Sequence, residues 1–244
     1  MIHQNKMIEK LPSIFEIRRL IESIGESNDP RLDRRVSSNT DLYQVKMALK
    51  YQFLVAGTAA EVSGIYRPRN EPFQNAYETE IFGEPAAVFI LRKSRQKTKD
   101  IVIIGPCLPL KKEYEPWTRE VLDYVNFHQE PFTFQTNPRS SKRTLEACST
   151  YIFNCLNWNG SFEPEINNYK SQDTEWKRFT NSCISKARLI DLFYNYGLDE
   201  ANILSFTSPL RANAEITAND VPKSLNILTR IAESYFLRLC KARY

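Results

Sequence analysis

The chain has 244 residues and a formal charge of +4 from 33 basic and 29 acidic side chains, with 42% hydrophobic and 25% charged residues. That mix is an ordinary globular one, long enough for a sizeable core, and its total charge is too weak to mark a nucleic-acid binder. No run approaches the roughly eighteen apolar residues of a membrane span, and the start MIHQNKMIEKLPS lacks the basic and apolar regions of a secretion signal, so a cytoplasmic protein with no membrane partner is expected.

The first predicted element is SIFEIRRLIESIG. Ser13 and Glu16 stand at capping-box spacing, Ile14, Ile17, Ile21 and Ile24 share a face, and Gly25 stops the helix. The polar stretch Glu26–Thr40 reads as a loop. Asp41 then caps LYQVKMALKYQFLVA, a longer helix ending near Gly57, and a short helix is expected around Ala60–Ile65. From Tyr77 the period changes to that of strands. YETEIFG, AAVFILRKS and DIVIIGPCLPL are β-branched or aromatic runs separated by a Gly-Glu-Pro turn and a basic turn, which predicts a small antiparallel sheet. The basic connection carries Lys93, Arg95, Lys97 and Lys99, and PRSSKR adds Arg139, Lys142 and Arg143.

A helix restarts after Pro116 with Trp117, Val121 and Val125 inward. SKRTLEACSTYIFNCLNW is read as another, followed by a polar loop. TNSCISKARLIDLFYNYG is a strong helix with Ile184, Leu192 and Tyr196 apolar and Gly197 just past its end. LDEANILSF is a short helix. The last helix is expected from Asn219 or Asp220, with Pro222 in its first turn, through Leu225, Leu228, Ile231, Ala232, Tyr235 and Leu239. Without repeats or a linker, this predicts one mainly helical α+β domain over residues 1–244, its core at about 11–240.

Cys107, Cys148, Cys155, Cys183 and Cys240 have no CxxC spacing and only His3 and His128 to help them, so reduced thiols and no metal or cofactor are expected. No P-loop, GxGxxG, HExxH or GxSxG is present. Glu78 and Glu80 lie before lysines but lack the spacing of a metal-nuclease core, and read as exposed carboxylates at a strand edge.

Helices, a three-stranded meander with a basic turn, then helices ending in one that bears a tyrosine: this order resembles the catalytic domain of the tyrosine recombinases (the phage integrase family), particularly archaeal members. FLVAGTAAEVSGI (Phe53–Ile65) is similar to the family's TG-x-R-x-x-E corner. FILRKSRQKTKDIVIIGPCLPL sits like the hairpin that holds the family's catalytic lysine, and EYEPWTREVLDYV like the helix after it. ISKARLIDLFYNYGLDEANILSF resembles the LRHxRAxxL…YG segment, and ESYFLRL the surroundings of the nucleophile. The likeness spans Leu11 to Leu239 and implies a helical bundle with a three-stranded antiparallel sheet, here without a preceding core-binding domain.

Such enzymes attack a phosphodiester with a tyrosine hydroxyl while two arginines hold the nonbridging oxygens and a lysine protonates the leaving group. The matching arginine positions hold Ala59 or Thr58, depending on alignment, and Ser185, while Ser182 stands at a histidine position. Arg67 and Arg69 lie beyond the corner as possible substitutes. Lys93, then Lys97, match the lysine, and Tyr235 the nucleophile, ahead of the terminal Tyr244. Tyr235 also falls on an apolar helical stripe, which favours a core role.

The departures imply a catalytically degenerate integrase-fold protein, a DNA-binding or interaction module related to site-specific recombination. Double-stranded DNA would be met through phosphates by Lys93, Arg95, Lys97, Lys99, Arg139, Lys142, Arg143 and Arg188, the last matching a basic position of the archaeal pattern. One alternative is an active, divergent recombinase with Tyr235 as nucleophile and Lys93 as acid. Another is an oligomerisation protein whose last helix docks on a neighbour or a recombinase partner near Leu237 and Leu239.

Overall fold

A computed structural model describes residues 14–25, 41–62, 75–93, 101–128, 132, 145–146, 181–207 and 229–241. Helices α1 (Ile14–Ser23), α2 (Leu42–Val55) and α3 (Ala59–Val62) precede strands β1 (Ala76–Ile81), β2 (Glu84–Lys93) and β3 (Ile101–Pro109). Helices α4 (Thr118–Phe127), α5 (Ser182–Tyr194), α6 (Glu200–Thr207) and α7 (Phe236–Leu239) follow. The described chain is mostly helical, with one antiparallel sheet in the order β1-β2-β3.

The helix ends follow local chemistry. Ile17, Leu20, Ile21 and Ile24 bury one face of α1, and Gly25 ends it in the left-handed region at φ 82°. Asp41 caps α2 by accepting the Tyr43 N–H at 2.9 Å. The left-handed residue that closes α2 is Ala56 (φ 50°) rather than Gly57, and its N–H returns to the carbonyls of Gln52 and Phe53. Trp117, Val121 and Val125 turn inward on and before α4.

Two expectations need correction. The β1–β2 turn is Phe82-Gly83, both at positive φ (54° and 77°), while Glu84 and Pro85 already belong to β2. A two-residue turn of this hand matches strand twist but strains a residue with a Cβ. Phe82 is 57% exposed and gains little from burial there. Phe82→Asn should therefore raise stability by about 0.5–1 kcal/mol, seen as a higher thermal midpoint; an unchanged or lower midpoint would count against this turn. The second correction concerns the last helix, which is not continuous. Residues 229–233 are helical, then Ser234 and Tyr235 bond back three residues, to Ile231 and Ala232, before α7 begins. The Ser234 hydroxyl also bonds the Ile231 carbonyl at 2.9 Å, competing with the helix ladder.

β2 is central and buried from Ala86 to Phe89. Its register with β3 slips between Val88 and Ile90, opposite Gly105-Pro106, where proline has no N–H to give the ladder. Phe89 meets the Tyr51 ring of α2 edge-on at 5.4 Å, which joins sheet and helix layer in one core. β3 is an edge strand covered by α6 and α7. The helix expected over SKRTLEACSTYIFNCLNW lies outside the described residues, apart from the buried Leu145 and its neighbour Glu146.

Candidate functional site

The corner between α2 and α3 is built by a capping box. Thr58 Oγ1 accepts the Glu61 N–H at 3.3 Å, and the Glu61 carboxylate accepts the Thr58 N–H at 2.8 Å and its hydroxyl at 3.1 Å. Thr58 is thus the exposed residue of the corner and Ala59 is buried. Gly57 has room for little more, since a Cβ there would stand 3.0 Å from a Val55 methyl.

The structure brings this corner against the start of α5, where the second arginine box is matched. The Ser185 hydroxyl donates to the Gly57 carbonyl. Gln52 Nε2 donates to Asn181 Oδ1 at 2.7 Å and to Ser185 Oγ at 3.2 Å, and Asn181 returns a bond to Gln52 Oε1 at 2.9 Å. Two stretches far apart in sequence therefore share one hydrogen-bonded junction. Its side chains are amides and hydroxyls, with the Glu61 charge held in the cap. Neutral donors can orient an oxygen, but they supply none of the positive charge that stabilises a pentavalent phosphate. Ser182 is exposed beside it; Arg67 and Arg69 lie outside the described residues.

Arg188 corrects the sequence reading. It is 1% exposed, and its guanidinium is 2.7 Å from Asp191 and 3.4 Å from Glu115, so it is not a surface contact for DNA. Arg18 of α1 grips the same Glu115 with both ends of its fork, at 2.9 and 2.7 Å. Both guanidinium groups lie over the Phe53 ring, at 4.7 and 5.1 Å from its centroid. Burial pushes the Glu115 carboxyl up, but the charges of Arg18 and Arg188 outweigh it and hold it below the usual carboxylate range. Two cations and two carboxylates thus form a buried, charge-balanced cluster joining α1, α5 and the turn before α4.

A second ionic cluster adjoins it. Lys50, 2% exposed, bonds Glu22 at 2.8 Å and Glu120 at 2.7 Å, and Trp117 Nε1 donates to the same Glu22 carboxylate. Neither cluster was visible from composition. The Arg188–Asp191 pair has a local signal, three residues apart on one helix. Glu115 and the burial of Lys50 have none, because their partners come from distant segments.

Tyr235 is also placed against catalysis. It is 1% exposed, and its hydroxyl oxygen accepts the Cys107 N–H at 3.0 Å. Burial, then the neighbouring Cys107, raises the phenol well above its ordinary pKa. Burial likewise pushes the Cys107 thiol up to about 12. The ring packs edge-on against Phe206 at 5.4 Å. A neutral phenol locked to a sheet edge is a structural fastener in this conformation.

The main chain of Lys93 pairs with Ile101 at the far end of the β2–β3 ladder. Arg95, Lys97, Lys99, Arg139, Lys142, Arg143 and Tyr244 lie outside the described residues. Hence Lys93, Arg188 and Tyr235 are not assembled as one site: Arg188 and Tyr235 are each committed to separate buried partners. Among the described residues, no group of His, Cys, Asp and Glu could hold a metal ion, and no helix is long and apolar enough to cross a membrane. No protein-family model, no curated protein and no solved structure matches this chain.

Proposed function

We propose that this chain is an integrase-like fold without strand cleavage that binds double-stranded DNA through the basic connection between β2 and β3. The observation that carries the reading is the ladder's extent. β2 and β3 stay paired out to Lys93 and Ile101, so the seven-residue connection 94–100, with Arg95, Lys97 and Lys99, joins the strands at that end. The sequestration of Tyr235 and Arg188 supports a binding role over a catalytic one. The basic side chains meet the duplex as charges on its phosphates, so binding is salt-dependent and weakly sequence-specific.

Replacing Lys93, Arg95, Lys97 and Lys99 together by glutamine should weaken duplex binding at least about tenfold at moderate salt. Each lost phosphate contact should flatten the slope of log affinity against log salt by about 0.9. Titration of a labelled duplex at several salt concentrations measures both. Unchanged affinity and slope in this variant would sink the proposal.

A further inference from the structure

The outer edge of β1 has a defined register. The paired residues Ile81 and Glu84 close the two-residue Phe82-Gly83 turn, and a turn of that length is closed by a pair that exchanges main-chain hydrogen bonds. The pairs Ile81–Glu84, Thr79–Ala86 and Tyr77–Val88 are therefore the bonded ones, and the main-chain groups of Ala76, Glu78 and Glu80 point away from β2. Two observations agree with this. Pro85, which has no N–H, stands opposite Glu80, and its carbonyl instead accepts the Leu110 N–H at 3.0 Å. At Ala76 the outward N–H and C=O are both taken by the Asn126 side chain, each at 3.0 Å.

Asn126 thus imitates one residue of a further strand and stops there. At Glu78 and Glu80 the outward N–H and C=O groups have no partner among the described residues. Both side chains are exposed and lie on the same face, Glu78 paired with Arg119 of α4 at 2.5 Å. On the other face Tyr77 and Thr79 are half-buried and Ile81 is buried, which leaves a partly apolar shelf.

We propose that this edge is a docking strand for an extended peptide that alternates lysine or arginine with β-branched or apolar residues. Main-chain bonds at Glu78 and Glu80 would supply the pairing, as in strand addition generally. The period of two sets the pattern: a cation beside the exposed Glu80, since both Glu78 carboxylate oxygens are held by Arg119, and apolar side chains beside Tyr77 and Thr79. A second copy of this chain is the poorer occupant. Bonded pairing of two such edges sets glutamate opposite glutamate, or opposite Ala76, whose outward groups are already taken.

The test uses the intact chain and a capped, fluorescent Lys-Val repeat peptide, with a Glu-Val repeat as control. Saturable binding of the Lys-Val peptide alone is expected, with slowed amide exchange at Glu78 and Glu80. Glu80→Pro deletes an edge N–H that the native ladder does not use, and should weaken binding about tenfold. Should that variant fail to fold, the Glu80→Gln variant, which leaves the Glu78–Arg119 pair intact, must lower the affinity and flatten its salt dependence. Binding indifferent to both variants, protection of other amides, or self-association abolished by Glu80→Pro would each overturn the proposal. The glutamine variant of the basic connection should bind the peptide normally, so failure here is distinguishable from failure of the DNA reading.

Discussion

Replacing Glu115 by glutamine is expected to destabilise the fold by about 3–5 kcal/mol. Glu115 is 1% exposed and is the shared counter-ion of Arg18 and Arg188. The amide keeps the volume but removes the charge: its oxygen can still accept one Arg18 N–H, but its NH2 faces the other, and Asp191 is left as the remaining carboxylate of a cluster with two guanidinium groups. An unbalanced guanidinium in a site walled by Phe53, Trp117 and Tyr196 cannot recover its hydration without opening the core. Urea denaturation of wild type and variant measures the loss; a change below about 1 kcal/mol would mean the cluster is wetter than its burial indicates.

The same cluster sets a pH dependence. Glu115 has its folded pKa held below the unfolded value, so its contribution is complete above the ordinary carboxylate range, near about 4.3. It is lost as pH falls through the depressed folded value. The acid limb of a stability–pH curve should therefore be shallower in Glu115→Gln than in wild type. An identical acid limb in the two proteins would assign acid unfolding to other carboxylates.

How far the sequence could be read depended on the range of the interaction. Elements set by neighbouring residues were legible: the Asp41 cap, the α1 face ending at Gly25, the meander, and Gly197 beyond α5. The α2–α3 corner was legible as a corner, and Thr58 and Glu61 carry a capping-box spacing that explains the acidic residue without any catalyst. Arg188 was misread because a helical position does not say which side is buried until its partners are known. Glu115 and Asp191 reverse its meaning from surface cation to core cation. The apolar stripe through Tyr235 correctly pointed inward. It could not reveal the break at Ser234–Tyr235, which depends on three-residue bonds and on a distant donor, the Cys107 N–H.

That break makes Tyr235 the second site of large effect. β3 is an edge strand, and the Cys107 N–H donates to the Tyr235 hydroxyl. Tyr235→Phe keeps the ring against Phe206 but strands a buried main-chain donor, at a cost of about 1–3 kcal/mol. Tyr235→Ala removes ring and acceptor together and should cost about 3–5 kcal/mol, with added exchange of β3 amides as α7 loosens. These magnitudes separate the fastener from a nucleophile, whose hydroxyl could be removed with little change in stability and complete loss of chemistry. A nicked suicide substrate supplies the other half of the discrimination. Wild type should leave no covalent protein–DNA adduct on a denaturing gel, while Tyr235→Phe shows its stability loss. An adduct that vanishes in Tyr235→Phe at wild-type stability would require α7 to leave the sheet and carry Tyr235 to DNA. Because the phenol's pKa is raised by the very burial that fixes α7, exposing it and activating it would have to be a single event.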